Sequence, residues 1–221
     1  MHRISVIRID QRNFNILHHS EIERMSTKII KTICVFCASS SKVDNIYMDA
    51  ATSLADVCID QSLHVLYGGG GVGLMGALST RILERKGRIT GIIPAFMMDM
   101  KWGYDLLEDM VVVEDMRERK RRMIENSDAV VALPGGVGTL EELLEVITLK
   151  QLGQFTKPIV IINVNGFYNP LLLMFEAMIT QRFMREDHRN IWQVINSADK
   201  LMQAIASSSD WDESAIQQAA L

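Results

Sequence analysis

Ala129-Val130-Val131-Ala132-Leu133-Pro134-Gly135-Gly136-Val137-Gly138-Thr139-Leu140-Glu141-Glu142 reads as a buried strand, a glycine turn and the start of a helix. Glycines at 135, 136 and 138 let the backbone approach a ligand closely, and the free N–H groups of the helix start attract an anion. Phosphate is the natural guest. A carboxylate on the first helical turn competes with it for the same positive end, so Glu142 asks for an explanation. Thr139-x-x-Glu142 has the spacing of a capping box, worth about 1 kcal/mol. The other reading gives the carboxylate a chemical role. Leu140, Leu143, Leu144 and Ile147 recur at core spacing, with Glu142 more than about 90° around the helix from them. Val146 and Leu149 follow Glu142 at i+4 and i+7 as a second apolar stripe, which predicts a subunit interface beside the site.

Outward from this stretch, short apolar runs alternate with helical periodicity. Thr32 to Cys37 is a strand ending at Ala38-Ser39-Ser40-Ser41. Tyr47, Ala50, Ala51, Leu54 and Cys58 mark a helix, and His64 to Tyr67 a second strand. That strand runs into Gly68-Gly69-Gly70-Gly71-Val72-Gly73-Leu74-Met75-Gly76. Gly71-x-Gly73-x-x-Gly76 has the dinucleotide spacing, but the next strand, Ile89 to Ile93, ends in Pro94-Ala95-Phe96 and not in the acid that would bind a ribose. The absence of Gly-Lys-Ser/Thr excludes a nucleoside triphosphatase loop. Phosphate cradling survives both exclusions, beside the simpler reading of a tight strand-to-helix turn.

Further elements are expected as a helix from Leu74 to Lys86, strands at Val111 to Val113 and Ile159 to Val164, and helices from Pro170 to Arg182 and Asn196 to Ser207. Phe96 to Glu108 lacks a period and is either a lid over an apolar pocket or, slightly favoured, a loop packed on the core. The pattern predicts an α/β fold, a single-domain, Rossmann-like, doubly wound parallel sheet with helices on both faces. Ligands of such sheets bind at the carboxyl ends of strands, where Ser39, Gly68 to Gly76 and Gly135 to Thr139 converge. The domain is expected over 31–207. Residues 1–30 read as an extension or mobile arm with a short strand at Ile4 to Ile9, and 208–221 as a polar tail that frays.

Met116 to Ser127 is a basic helix. Arg119 and Lys120 share the stripe of Met116, Met123 and Ile124, whereas Arg117, Arg121 and Arg122 project away. A cation turned inward needs an anionic partner, because desolvation alone is very costly. A phosphate or carboxylate is therefore expected at Arg119.

The formal charge of −4 gives no general attraction to nucleic acid or to an anionic membrane. No apolar run reaches membrane-spanning length and no signal-peptide core is visible, so a cytoplasmic protein is expected. Cys34 and Cys37 lie i, i+3 in a strand and face opposite ways, which argues against metal or redox use. Asp210-x-Asp212 sits in the tail, which disfavours a metal-dependent nucleoside hydrolase.

Pro-Gly-Gly-x-Gly-Thr-x-x-Glu at 134–142 resembles the signature of the LOG family, the cytokinin riboside 5′-monophosphate phosphoribohydrolases, long mislabelled as lysine decarboxylases. The resemblance runs from about Lys31 to about Leu201, and the basic helix resembles the family's Met-His-x-Arg-Lys motif with Arg117 in the place of His. It implies Arg119 and Glu142 as the catalytic pair, with Gly135, Gly136, Gly138 and Thr139 on the 5′-phosphate. Ser39, Gly70, Gly71, Gly73 and Lys120 would complete substrate binding. The implied reaction splits a purine riboside 5′-monophosphate, N6-modified or plain AMP, into free base and ribose 5-phosphate, with no metal or organic cofactor. A homodimer with sites near the interface is expected. The alternative is a non-catalytic carrier on the same scaffold, such as the related molybdenum-cofactor carriers.

Overall fold

The computed structural model describes residues 29–216 of the chain. The strand expected at Ile4 to Ile9 lies outside them. Seven parallel strands form one sheet: β1 (Thr32–Phe36), β2 (His64–Tyr67), β3 (Arg88–Pro94), β4 (Met110–Val113), β5 (Ala129–Ala132), β6 (Ile159–Ile162) and β7 (Gln193–Ile195). Their order is β4-β3-β2-β1-β5-β6-β7. The chain winds one way from β1 to β4, then crosses back to place β5 on the other side of β1. Between β1 and β5 lies the topological switch point, where such sheets open a crevice at their carboxyl ends.

The helices are α1 (Asn45–Asp60), α2 (Gly73–Glu84), α3 (Ala95–Asp99), α4 (Met116–Glu125), α5 (Val137–Gln151), α6 (Asn169–Thr180) and α7 (Leu201–Ala206). Side-chain alternation along β1 feeds two cores. Ile33, Val35 and Cys37 pack with Leu54, Leu74, Leu78 and Leu201 of α1, α2 and α7. Cys34 and Phe36 pack with Met123, Leu143 and Phe175 of α4, α5 and α6 on the other face. Burial on both faces explains why the strands are continuous apolar runs and do not alternate with polar residues. All three cysteines are buried and free.

Several expectations need correction. Val146 is fully buried within the chain's own core, and Leu149 packs against that core, so neither forms a wet stripe. Leu144, expected inside, is 40% exposed. The helix expected over Asn196 to Ser207 is a 3₁₀ turn (Ala198–Lys200) leading into α7, and the short strand β7 before it was not expected. Three residues give too little period to register as a strand. The described part of the tail does not simply fray. Trp211 packs on the core beside α5, and its indole N–H donates to the Lys150 carbonyl at 2.5 Å.

Candidate active site

Arg119 arrives on α4, whose start is firmly set. Asp115 accepts from the Glu118 amide at 2.8 Å and the Glu118 carboxylate accepts from the Glu114 amide at 2.8 Å. This reciprocal cap holds the first turn and so the direction in which Arg119 leaves the helix. The Arg119 side chain is buried. Its Nε donates to the Ile92 carbonyl at 3.0 Å and Nη2 to the Gly68 carbonyl at 3.1 Å. Nη1 stands 3.8 Å from Glu142 Oε1. The expected anionic partner is thus a carboxylate, supplemented by two backbone carbonyls.

Glu142 comes from α5, which begins at Val137 with Gly136 at the N-cap and no side-chain cap. The helix starts earlier than a Thr139 cap requires, so the capping box does not form and Glu142 falls on the second turn. Glu142 is 6% exposed, so its position away from the leucine stripe does not leave it in solvent. Burial pushes its pKa up to about 7, with the Arg119 guanidinium pulling the other way. A separation of 3.8 Å is an ion pair beyond hydrogen-bonding reach, which leaves room for a water or a substrate hydroxyl to join it.

Both side chains open onto a cavity of about 980 Å³, lined among others by Ser39, Gly68, Gly70, Gly71, Gly136, Gly138 and Thr139. Three strand-end loops meet there: after β1, after β2 and after β5. The volume lies in the range of small-molecule sites. A Cβ added at Gly136 or Gly138 would meet nothing within 4 Å, so these glycines open ligand space and the α5 amides beside them. Gly135 is different: a Cβ there would lie 2.1 Å from the Thr139 hydroxyl oxygen, so the absence of a side chain seats Thr139 and does not line the cavity. Gly73 has φ +64°, and a Cβ there would lie 2.5 Å from the Ser40 carbonyl oxygen. It joins the start of α2 to the β1 loop, outside the cavity lining.

Lys120 is buried as expected but is not brought into the cavity. It ion-pairs with Glu141 and, at 2.9 Å, with Glu145, both on α5. Its expected part in substrate binding therefore finds no support in the cavity lining. Arg117, Arg121 and Arg122 are exposed, as their spacing indicates.

The segment after β3 is a roof over the cavity, against the favoured expectation of a loop packed on the core. Met97, Lys101, Trp102, Gly103, Tyr104, Asp105 and Leu106 all line the cavity, while Trp102 is 56% and Leu106 71% exposed. Gly103 bridges Gly70, and the Tyr104 amide donates to the Gly69 carbonyl at 2.9 Å. Tyr104 and Thr80 hydroxyls share a hydrogen bond of 2.8 Å. A ring on Gly71 needs that glycine, since a Cβ would sit 2.4 Å from it. Among the described residues no group of three or more His, Cys, Asp or Glu side chains is placed to hold a metal ion.

A family model described as "Possible lysine decarboxylase" matches residues 75–205. The cytokinin riboside 5′-monophosphate phosphoribohydrolase LOG5 of Arabidopsis thaliana is 43% identical over 175 residues, covering 79% of this chain and 77% of that protein. LOG3 of the same plant is 38% identical over 183 residues, covering 83% and 85%. Among solved structures, the molybdenum cofactor binding protein from Rippkaea orientalis superposes with a TM-score of 0.61 at 20% identity, covering 82% of this chain and 98% of that one. The molybdenum cofactor carrier protein of Chlamydomonas reinhardtii gives 0.61 at 18% identity, over 80% and 96%. At these identities the structural likeness speaks for the fold alone, whereas the sequence relatives decide the family: the chain belongs to the LOG family of cytokinin riboside 5′-monophosphate phosphoribohydrolases.

Proposed function

We propose that the protein hydrolyses the N-ribosidic bond of a purine riboside 5′-monophosphate, N6-modified as in the substrates its relatives are named for, to free base and ribose 5-phosphate. The observation that carries this is the buried Glu142 carboxylate facing Arg119 at the floor of the cavity. The anchor for the 5′-phosphate is the start of α5 at Gly136 to Thr139. As the C1′–N9 bond breaks, its electron pair leaves with the base and positive charge grows on the ribose. The ionised Glu142 stabilises that charge and takes a proton from the attacking water, whose oxygen bonds to C1′; the proton then passes to the departing base, which leaves neutral and returns Glu142 to its ionised form. Arg119 holds the carboxylate in place. Trp102, Tyr104 and Met97 supply an apolar roof for the purine and its N6 substituent.

A carrier role is disfavoured, because a binder of phosphate has no use for a buried carboxylate beside it. We further propose a homodimer in the cytoplasm. With Val146 buried in its own chain, support for the dimer comes instead from the large apolar side chains left exposed, Leu173, Met174 and Phe183.

Replacing Glu142 by Gln tests the reaction. Turnover of N6-isopentenyladenosine 5′-monophosphate should fall ~10² to 10⁴-fold while nucleotide affinity survives. Base release at the wild-type rate would reduce Glu142 to a structural residue.

A further inference from the structure

We propose that Gly68, the first glycine of the run after β2, is a positioning residue that seats the Arg119 guanidinium and has no part in holding phosphate. The inference rests on the hydrolase reading above for its catalytic consequence, and on geometry alone for the contact itself. Gly68 is buried, and its carbonyl oxygen accepts from Arg119 Nη2 at 3.1 Å. A Cβ at this position would stand 2.0 Å from Nη2 and 3.2 Å from Cζ of Arg119. The next nearest atom is the flexible Cε of Met75, at 3.3 Å. Gly68 does not share the positive φ of Gly69 and Gly73, so an alanine finds no backbone strain there. What a side chain at position 68 would displace is the guanidinium.

The glycines of this protein therefore divide by task. Gly136 and Gly138 face open space, as a ligand-binding turn requires, whereas Gly68 is filled from the other side by Arg119. The guanidinium is held at the β2 terminus between the carbonyls of Gly68 and Ile92, and this aims Nη1 at Glu142. Because the clash of an added methyl is with a side-chain tip, the fold survives and Arg119 yields.

The test is a double-mutant cycle of Gly68→Ala and Arg119→Lys, read by release of base from N6-isopentenyladenosine 5′-monophosphate and by thermal unfolding without nucleotide. Gly68→Ala alone should lower kcat about 10²-fold with KM little changed, the effect of displacing a catalytic group by about 1 Å. In the Arg119→Lys background the same substitution should cost less than about threefold, since no guanidinium remains to clash. The pH profile supplies a readout that a merely structural role would not move. Arg119 holds the Glu142 pKa down, so its displacement should carry the acid limb of kcat/KM to higher pH. Equal losses in both backgrounds, or an unmoved acid limb, would overturn the proposal. If Gly68→Ala unfolds instead, recovery of the fold by Arg119→Lys supports the contact and failure to recover it refutes the contact. A wild-type protein that releases no base would sink the hydrolase reading, while the unfolding midpoints would still decide the contact at Gly68.

Discussion

Glu142 has a pKa of about 7 in the folded chain because burial penalises its charge more than Arg119 repays it. In the unfolded chain the same group ionises near the ordinary glutamate value, about 4.3. Between these values the folded state binds more protons, so stability falls as pH rises across that window and levels off above about 7. Measured against Glu142→Gln, the wild-type protein without nucleotide should lose ~3 kcal/mol between pH 4 and pH 8 in denaturant titrations. A difference that stays constant with pH would place the group at an ordinary pKa. Catalysis runs the opposite way: the ionised carboxylate is the active form, so kcat/KM should rise with pH through about 7. A profile falling above 7 would instead make Glu142 the proton donor to the base. Spacing made the inward direction of Arg119 legible, since it shares the stripe of Met116, Met123 and Ile124. Lys120 was not separable from it, because the Glu141 and Glu145 partners depend on how α4 and α5 pack, which no single helix reveals.

The roof between α3 and β4 is the element that carries recognition of the base. Its hold on the glycine turn comes from backbone contacts at Gly69 and Gly70 and from the Tyr104 hydroxyl on Thr80. Tyr104→Phe removes the last of these, a net loss of ~1 kcal/mol, and should raise KM about fivefold with kcat nearly intact. Thr80→Val should do the same, and the pair together no more than either alone. Additive losses would separate the two hydroxyls. This element was only half legible. Its methionines and aromatics gave no helical or strand period, and whether such a stretch lies on the core or over a cavity is decided by the sheet end beneath it. The α5 start is ambiguous in sequence for a related reason. Thr139 and Glu142 fit a capping box, yet the helix already begins at Val137 with the extended Gly136 as its N-cap, so the box spacing is incidental.

At the scale of the molecule, the alternating strands and helices and the glycine turns at strand ends made the parallel sheet and its crevice readable from sequence. β7 and the Trp211 anchor were not, because one is too short to show a period and the other depends on a long-range contact. Exposure of Leu173, Met174 and Phe183 predicts self-association. Light scattering at micromolar concentration should give a dimer or a multiple of it, and a stable, active monomer would contradict this. The central claim is that the cavity at the switch point breaks an N-ribosidic bond, and product analysis tests it most directly. Pure protein incubated with N6-isopentenyladenosine 5′-monophosphate should release free N6-isopentenyladenine and ribose 5-phosphate one for one, and the nucleoside lacking the phosphate should be cleaved far more slowly. Nucleotide recovered intact after saturating the protein would contradict the claim and leave a binding protein in its place.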